Sequence, residues 1–188
     1  VLRSKVVRTL FALSGKKTAF VDKGRAEKKA LTRAENKIVE PVTSMFNRHV
    51  KVFQELGFRV DISNPVFPSK QNLDQEILDL IGEKNQNWIG IAPFAQYDSK
   101  VYPQDLMQKV IDLLDDNQNS KILLFGGGQK EIEILNQFSK DKTHTLVIAG
   151  KITFKQELQL ISNLDVMLSM DSGNAHIAAM LGVKVVTL

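Results

Sequence analysis

LDVMLSMDSGNAHIAAMLGVKVVTL, residues Leu164 to Leu188, is the stretch whose reading decides the fold. Two breaks separate three apolar blocks. Asp165 to Met170 is short, β-compatible and almost uncharged, as expected of a parallel strand buried on both faces. Asp171, Ser172 and Gly173 are N-cap and tight-turn residues. Asn174 to Leu181 is small and apolar enough for a short packed helix, and Gly182 suits the position just behind it. Val183 to Leu188 then reads as a second buried strand, giving a strand, helix, strand unit with a right-handed crossover. The first-turn N–H groups of that helix are expected at the carboxyl end of a parallel sheet, where α/β folds bind phosphate-bearing ligands.

Upstream, the same alternation recurs. Trp88 to Ala92, Lys121 to Phe125 and Thr145 to Ala149 read as strands, with Pro103 to Asp116, Gln129 to Ser139 and Phe154 to Asn163 as the helices between them. Five strands alternating with four helices predict an α/β fold with an open parallel sheet covered on both faces. The first half is less regular. Leu2 to Leu13 and the segment from Pro41 to Gly57 have helical spacing, Thr18 to Asp22 and Phe58 to Ile62 suit strands, and Lys23 to Lys37 reads as loop with some helix. Ser63 to Asn72, with Pro65 and Pro68, reads as a linker, and Leu73 to Ile81 as a short helix. We expect a domain boundary near residue 83. A chain that begins with Val1 and stops inside an apolar strand reads as incomplete at both ends.

Composition narrows the function. With 188 residues, 43% of them hydrophobic, the chain can bury a sizeable core. No apolar run approaches the roughly 18 residues of a membrane span, and the economical location is cytoplasmic. Without cysteine there is no disulfide framework, thiolate nucleophile or Cys-ligated metal. His49, His144 and His176 lack metal-ligand spacing. Through residue 60 there are 14 Lys/Arg against 5 Asp/Glu, a balance of +9; the remainder has 11 against 16, or −5, which returns the overall +4. Such a basic first part reads either as solvated helix faces or as attraction for an anionic partner.

Three loops at strand ends suggest phosphate chemistry. In PFAQYDSKVYP, Pro93 to Pro103, Lys100 can hold a diphosphate as a point charge. Gly126 to Gly128 permit close backbone approach, and Glu131 or Glu133 can accept from ribose hydroxyls. In the third loop, Asp171 can receive hydroxyls, while Ser172, the N–H of Gly173 and His176 can bind phosphate. Ordinary capping and a packed histidine explain the same residues without a ligand. Neither GxGxxG nor a Walker lysine is present. SGKKT at Ser14 to Thr18 has Leu10 where a P-loop needs its first glycine. Asp171, Ser172 and His176 share the names of a hydrolase triad but sit on adjacent helix turns, with no GxSxG.

Together APFAQYDSKVYP, GGGQKE, GKITFKQEL and DSGNAHIAAMLG resemble, in order, the motifs of the ADP-heptose:lipopolysaccharide heptosyltransferase family, glycosyltransferase family 9. Trp88 to Leu188 carries this resemblance, and the basic first part carries it more faintly. It implies a GT-B architecture of two Rossmann-like domains. Residues 1–82 would be the remaining part of an N-terminal acceptor-side domain plus linker, and 83–188 a C-terminal donor-binding domain truncated at its end. It further implies an inverting transferase that moves a heptose or related sugar from an ADP-sugar to an acidic lipopolysaccharide core acceptor. Such an enzyme would work without cofactor, metal or nucleic acid, peripherally at the cytoplasmic face of the inner membrane. By resemblance, Lys100 matches the lysine on the donor diphosphate and Glu131 the nucleoside-binding carboxylate. Asp171 matches the donor-sugar aspartate, and Ser172, Gly173 and His176 the phosphate-binding helix start. Phe94 replaces the family's glycine, and Val101 and Tyr102 its Arg and Trp. The family's general base, a carboxylate early in the N-terminal domain, has no counterpart in this sequence. A nucleotide-sugar epimerase of similar fold and a nucleotide- or glycan-binding module without catalysis are the alternatives.

Overall fold

The computed structural model describes residues 2–188 and divides after Pro65 into two compact units. The first contains three helices, α1 (Leu2–Leu13), α2 (Arg25–Thr32) and α3 (Met45–Leu56). Ser44 caps α3 by accepting from the Asn47 N–H, and Gly57 ends it in the left-handed region. No strand forms among the described residues of this unit, so Thr18 to Asp22 and Phe58 to Ile62 are not the expected strands. An extended segment with no partner leaves its N–H and C=O groups to water, and alternation alone does not supply the partner.

Gly24 and Arg48 are its only buried residues among those described. Arg48 donates to the carbonyls of Thr43 (3.0 Å) and Asp22 (3.2 Å) and to Glu27 Oε2 (2.6 Å), with Asp22 Oδ2 at 3.5 Å. Gly24 has φ +64°, and a Cβ added there would lie 2.3 Å from Arg48 Nη2. One buried cation thus holds the loop between α1 and α2 to α3.

The second unit, Val66–Leu188, holds α4 (Gln75–Ile81), β1 (Asn87–Ala92), α5 (Gln104–Asp115), β2 (Ser120–Leu124), α6 (Gln129–Phe138), β3 (Thr145–Val147), α7 (Phe154–Ser162), β4 (Val166–Ser169), α8 (Gly173–Met180) and β5 (Lys184–Thr187). The division falls at Pro65 and Val66, not near residue 83. Ile77 and Ile81 place α4 in the second unit's core, and Gln156 donates to Glu76 and Gln159 to Asp74.

The five strands are parallel, in the order β3-β2-β1-β4-β5. Along β2 the side chains alternate between two apolar layers: Leu123 joins Ile77, Trp88, Leu160 and Met167, while Ile122 and Leu124 join Ile91, Met107, Ile111 and Leu135. This two-sided burial is what the uncharged strands imply. Gly90 is required by packing, because a Cβ there would meet Leu164 Cδ1 at 2.5 Å. The last strand departs from expectation. Among the described residues β5 pairs with β4 alone, and Val186 and Leu188 are about half exposed, so in the sheet they form it is an edge strand and not a buried one.

Candidate functional site

The strand order fixes where the site lies. From β1 the chain steps outward through β2 and β3, then returns to β4 on the other side of β1. Loops leaving the carboxyl ends of β1 and β4 therefore diverge, opening the crevice that doubly wound sheets use for ligands. One of these loops carries Lys100 in a short 3₁₀ turn, Asp98–Lys100; the other carries Asp171 and Ser172.

The two loops meet. Lys100 Nζ donates to Asp171 Oδ2 at 2.5 Å across 71 positions of sequence, and His176 Nε2 lies 3.8 Å from the other oxygen of Asp171. The Lys100 hydrogen bond and then its charge hold the Asp171 carboxyl below the usual carboxylate range, with His176 adding slightly and desolvation opposing. All three residues are exposed. An ion pair so wet contributes little to stability, so an arriving anion can take over the lysine at small cost.

Ser172 is the N-cap of α8 by position, yet its side chain makes no cap hydrogen bond; Oγ sits 3.0 Å from Ser169 Oγ. The first turn of α8 thus keeps N–H groups that no cap side chain takes, together with the positive end of the helix dipole.

Beside this turn is a cleft of about 370 Å³. Its walls are Ala92 to Gln96 after β1 (Pro93 excepted), Phe125 to Gly127 after β2, Glu131 of α6, Phe154 and Glu157 of α7, and Ser172 to Asn174. The structure thus brings Glu131, Ser172 and Gly173 into one cavity. Lys100, Asp171 and His176 form the adjoining charged cluster and do not line it.

Glu131 is less free than its sequence position suggests. Its Oε2 accepts from the Gly127 N–H at 2.7 Å, pinning the glycine loop. Gly126 is held small from the same side: a Cβ would meet Glu131 Oε2 at 3.0 Å and Phe94 Cδ2 at 3.3 Å. Phe94 thereby forms a wall of the cleft. Tyr102 packs into the apolar layer of Ile91 and Met107, and its N–H approaches Met170 Sδ at 3.1 Å.

Sequence reasoning missed Glu157. It follows the capping box in which Thr153 and Gln156 close the start of α7, and it lines the cleft half-buried. Burial alone raises its carboxyl above the ordinary glutamate value. The one available signal was a second carboxylate in the first turn of a helix starting at the same sheet edge.

A separate groove of about 940 Å³ lies in the first unit. Arg3, Lys5, Arg8, Lys17, Lys23 and Arg25 line it, against a single acid, Asp22, and Arg8 stacks 4.3 Å above the Phe20 ring.

Parallel order, switch-point crevice and glycine loop together define an α/β protein of the Rossmann type. The chain belongs to glycosyltransferase family 9 (heptosyltransferase), whose model matches residues 3–188. It is similar to lipopolysaccharide heptosyltransferase 3 of Escherichia coli strain K12, with 25% identity over 151 residues, 78% of this chain and 44% of that protein. A second protein of that description from Escherichia coli is 27% identical over 105 residues, 55% of this chain and 31% of the relative. The chain thus spans less than half the length of these relatives. Among solved structures, E. coli heptosyltransferase WaaC with ADP superposes with a TM-score of 0.60 at 18% identity, covering 81% of this chain and 48% of that one. The glycosyl transferase family 9 protein of Veillonella parvula DSM 2008 gives 0.62 at 17%, covering 79% and 44%. At these identities the superpositions bear on the fold alone. No helix among the described residues is long and apolar enough to cross a membrane.

Proposed function

We propose that this chain is the donor-binding part, with a piece of the acceptor side, of an inverting glycosyltransferase that moves a heptose from ADP-heptose to a lipopolysaccharide core acceptor. The observation that carries the reading is the crevice itself. A glycine loop and Glu131 line one end, the uncapped start of α8 the other, and Lys100 stands next to that helix start. Family membership supports sugar transfer, and the similar WaaC structure holds ADP.

The chemistry follows from charge. As the glycosidic bond breaks, negative charge builds on the departing diphosphate. The N–H groups of α8 and the Lys100 ammonium lie where they would meet it, without calling on a metal or cofactor. Asp171 keeps Lys100 placed until the ligand arrives and is then available to hydroxyls of the donor sugar. His176 stands ready to add a second positive group. The proton of the attacking hydroxyl is left to a base supplied from outside this sequence. The basic groove of the first unit suits a phosphorylated, acidic glycolipid at the cytoplasmic face of the inner membrane.

Calorimetry with ADP tests the reading. Lys100→Ala should weaken ADP by about 1.5–3 kcal/mol, roughly tenfold to 150-fold, the worth of a charge-assisted contact. Unchanged affinity would remove Lys100 from the diphosphate site.

A further inference from the structure

The cleft has more acid than diphosphate binding explains. One oxygen of Glu131 is occupied by the Gly127 N–H, whereas the Glu157 carboxyl makes no hydrogen bond or ion pair among the described residues. It is nevertheless half-buried in the cleft wall, which Phe154 and the glycine loop also line. An unpartnered carboxyl in such a place gives up hydration without return, and burial correspondingly pushes its pKa upward. A ligand bearing N–H donors would restore what is lost.

We propose that Glu157 is a specificity-determining residue that reads the amino-bearing edge of a purine base. This deepens the donor-site reading above and rests on it. Two parts of the cleft lining differ in sign. Gly173 and Asn174 present N–H groups at the start of α8, which suit phosphate, while Glu131 and Glu157 line the same cleft as carboxyls and repel it. The nucleoside must therefore take the acidic part of the lining. Phe94 and Phe154 supply aromatic surface there for a flat base, and Glu131 serves ribose hydroxyls. Glu157 is then the group left to recognise the base. A carboxyl accepts from the 6-amino group of adenine. Hypoxanthine carries a carbonyl at that position, with its donor moved to the ring N1–H, and uracil flanks its one ring N–H with two carbonyls, so neither presents the exocyclic amino group. Sites built to bond one donor reject analogues that lack it.

The experiment compares ADP, inosine diphosphate and UDP by calorimetry on wild type, Glu157→Gln, Glu157→Leu and Lys100→Ala. Wild type is expected to bind ADP about tenfold or more tighter than inosine diphosphate. Glu157→Leu should bring the two within about twofold, chiefly by losing ADP affinity, while UDP binding changes little. Glu157→Gln, isosteric and able to turn either amide atom to the base, should fall between. A wild type that does not separate ADP from inosine diphosphate, or a ratio that survives Glu157→Leu, overturns the assignment. If Lys100→Ala still weakens ADP in that case, the donor site stands and only Glu157 falls. Absence of any nucleoside diphosphate binding to wild type overturns both.

Discussion

The two units of this chain are stabilised by opposite means. In the second, Trp88, Ile91, Leu123, Leu124, Leu135 and Leu160 are wholly or almost wholly withdrawn from water in two layers, one on each face of the sheet. In the first, buried side-chain surface among the described residues belongs to one arginine, and the apolar face of α1 is open, with Val6, Val7, Leu10 and Phe11 each at least half exposed. Apolar burial is additive and undirected, so the second unit draws on many contacts of similar size. Arg48 works through a few directed bonds to specific oxygens, so the first unit depends on one position. Helical spacing tells where α1 lies, but it does not tell what covers it.

That contrast can be broken by substitution. The largest effect is expected from Leu123→Ala, which opens a cavity in a fully buried layer and should cost about 3 kcal/mol in urea unfolding of the second unit. A loss under about 1 kcal/mol would mean that the layer collapses around the cavity and is less tightly packed than it looks. Arg48→Met should cost about 1–2 kcal/mol, chiefly by orphaning the Thr43 and Asp22 carbonyls, because the exposed carboxylates return to water. Hydrogen exchange should accelerate over residues 22–48 and stay unchanged in β1 and β2; uniform acceleration would contradict the division of labour drawn here.

Asp165→Ala should have the smallest effect, about 1 kcal/mol. The second unit has its own directed polar contact in Asp165, which accepts from the Trp88 N–H at 2.8 Å and pairs with Lys84 at 3.0 Å. Desolvation pushes this carboxyl up, but the Trp88 N–H and the Lys84 and Lys70 charges outweigh it and leave it below its ordinary value of 3.8. The sign follows. A carboxyl depressed in the folded state contributes stability above the unfolded value, and loses it as pH falls through the folded one. The margin of wild type over Asp165→Ala should thus be full at neutral pH and shrink below about pH 4. A margin that grows on acidification would show that the carboxyl is not depressed.

The second unit was legible because its strands are fully buried and punctuated. Runs such as KILLF end at glycines, and Thr153 with Gln156 announces α7 through a capping box that two side chains define locally. The first unit was not, because alternation at Phe58 to Ile62 describes a strand only where another strand pairs with it. The boundary slipped to residue 83 since nothing in Leu73 to Ile81 says to which side its isoleucines pack. At the site, loop composition pointed to Lys100, Glu131 and the start of α8. It did not show that Lys100 would meet Asp171 beside the cleft while Glu131 lined the cleft itself, since these contacts depend on strand order. Glu157 lay inside the GKITFKQEL stretch, but nothing in that stretch says which of its side chains faces the cleft, because that is set by how α7 packs.

Gly24 and Arg48 are, finally, a single unit of inheritance. Any L-residue at position 24 must adopt a left-handed backbone and also place its first carbon where the guanidinium lies. Glycine there is dictated by a side chain 24 positions away, and loss of the arginine would relieve the steric demand while leaving the backbone demand in place. Variation at position 24 is therefore expected to follow variation at position 48 and not precede it, and to favour asparagine, which tolerates the left-handed region better than other side chains.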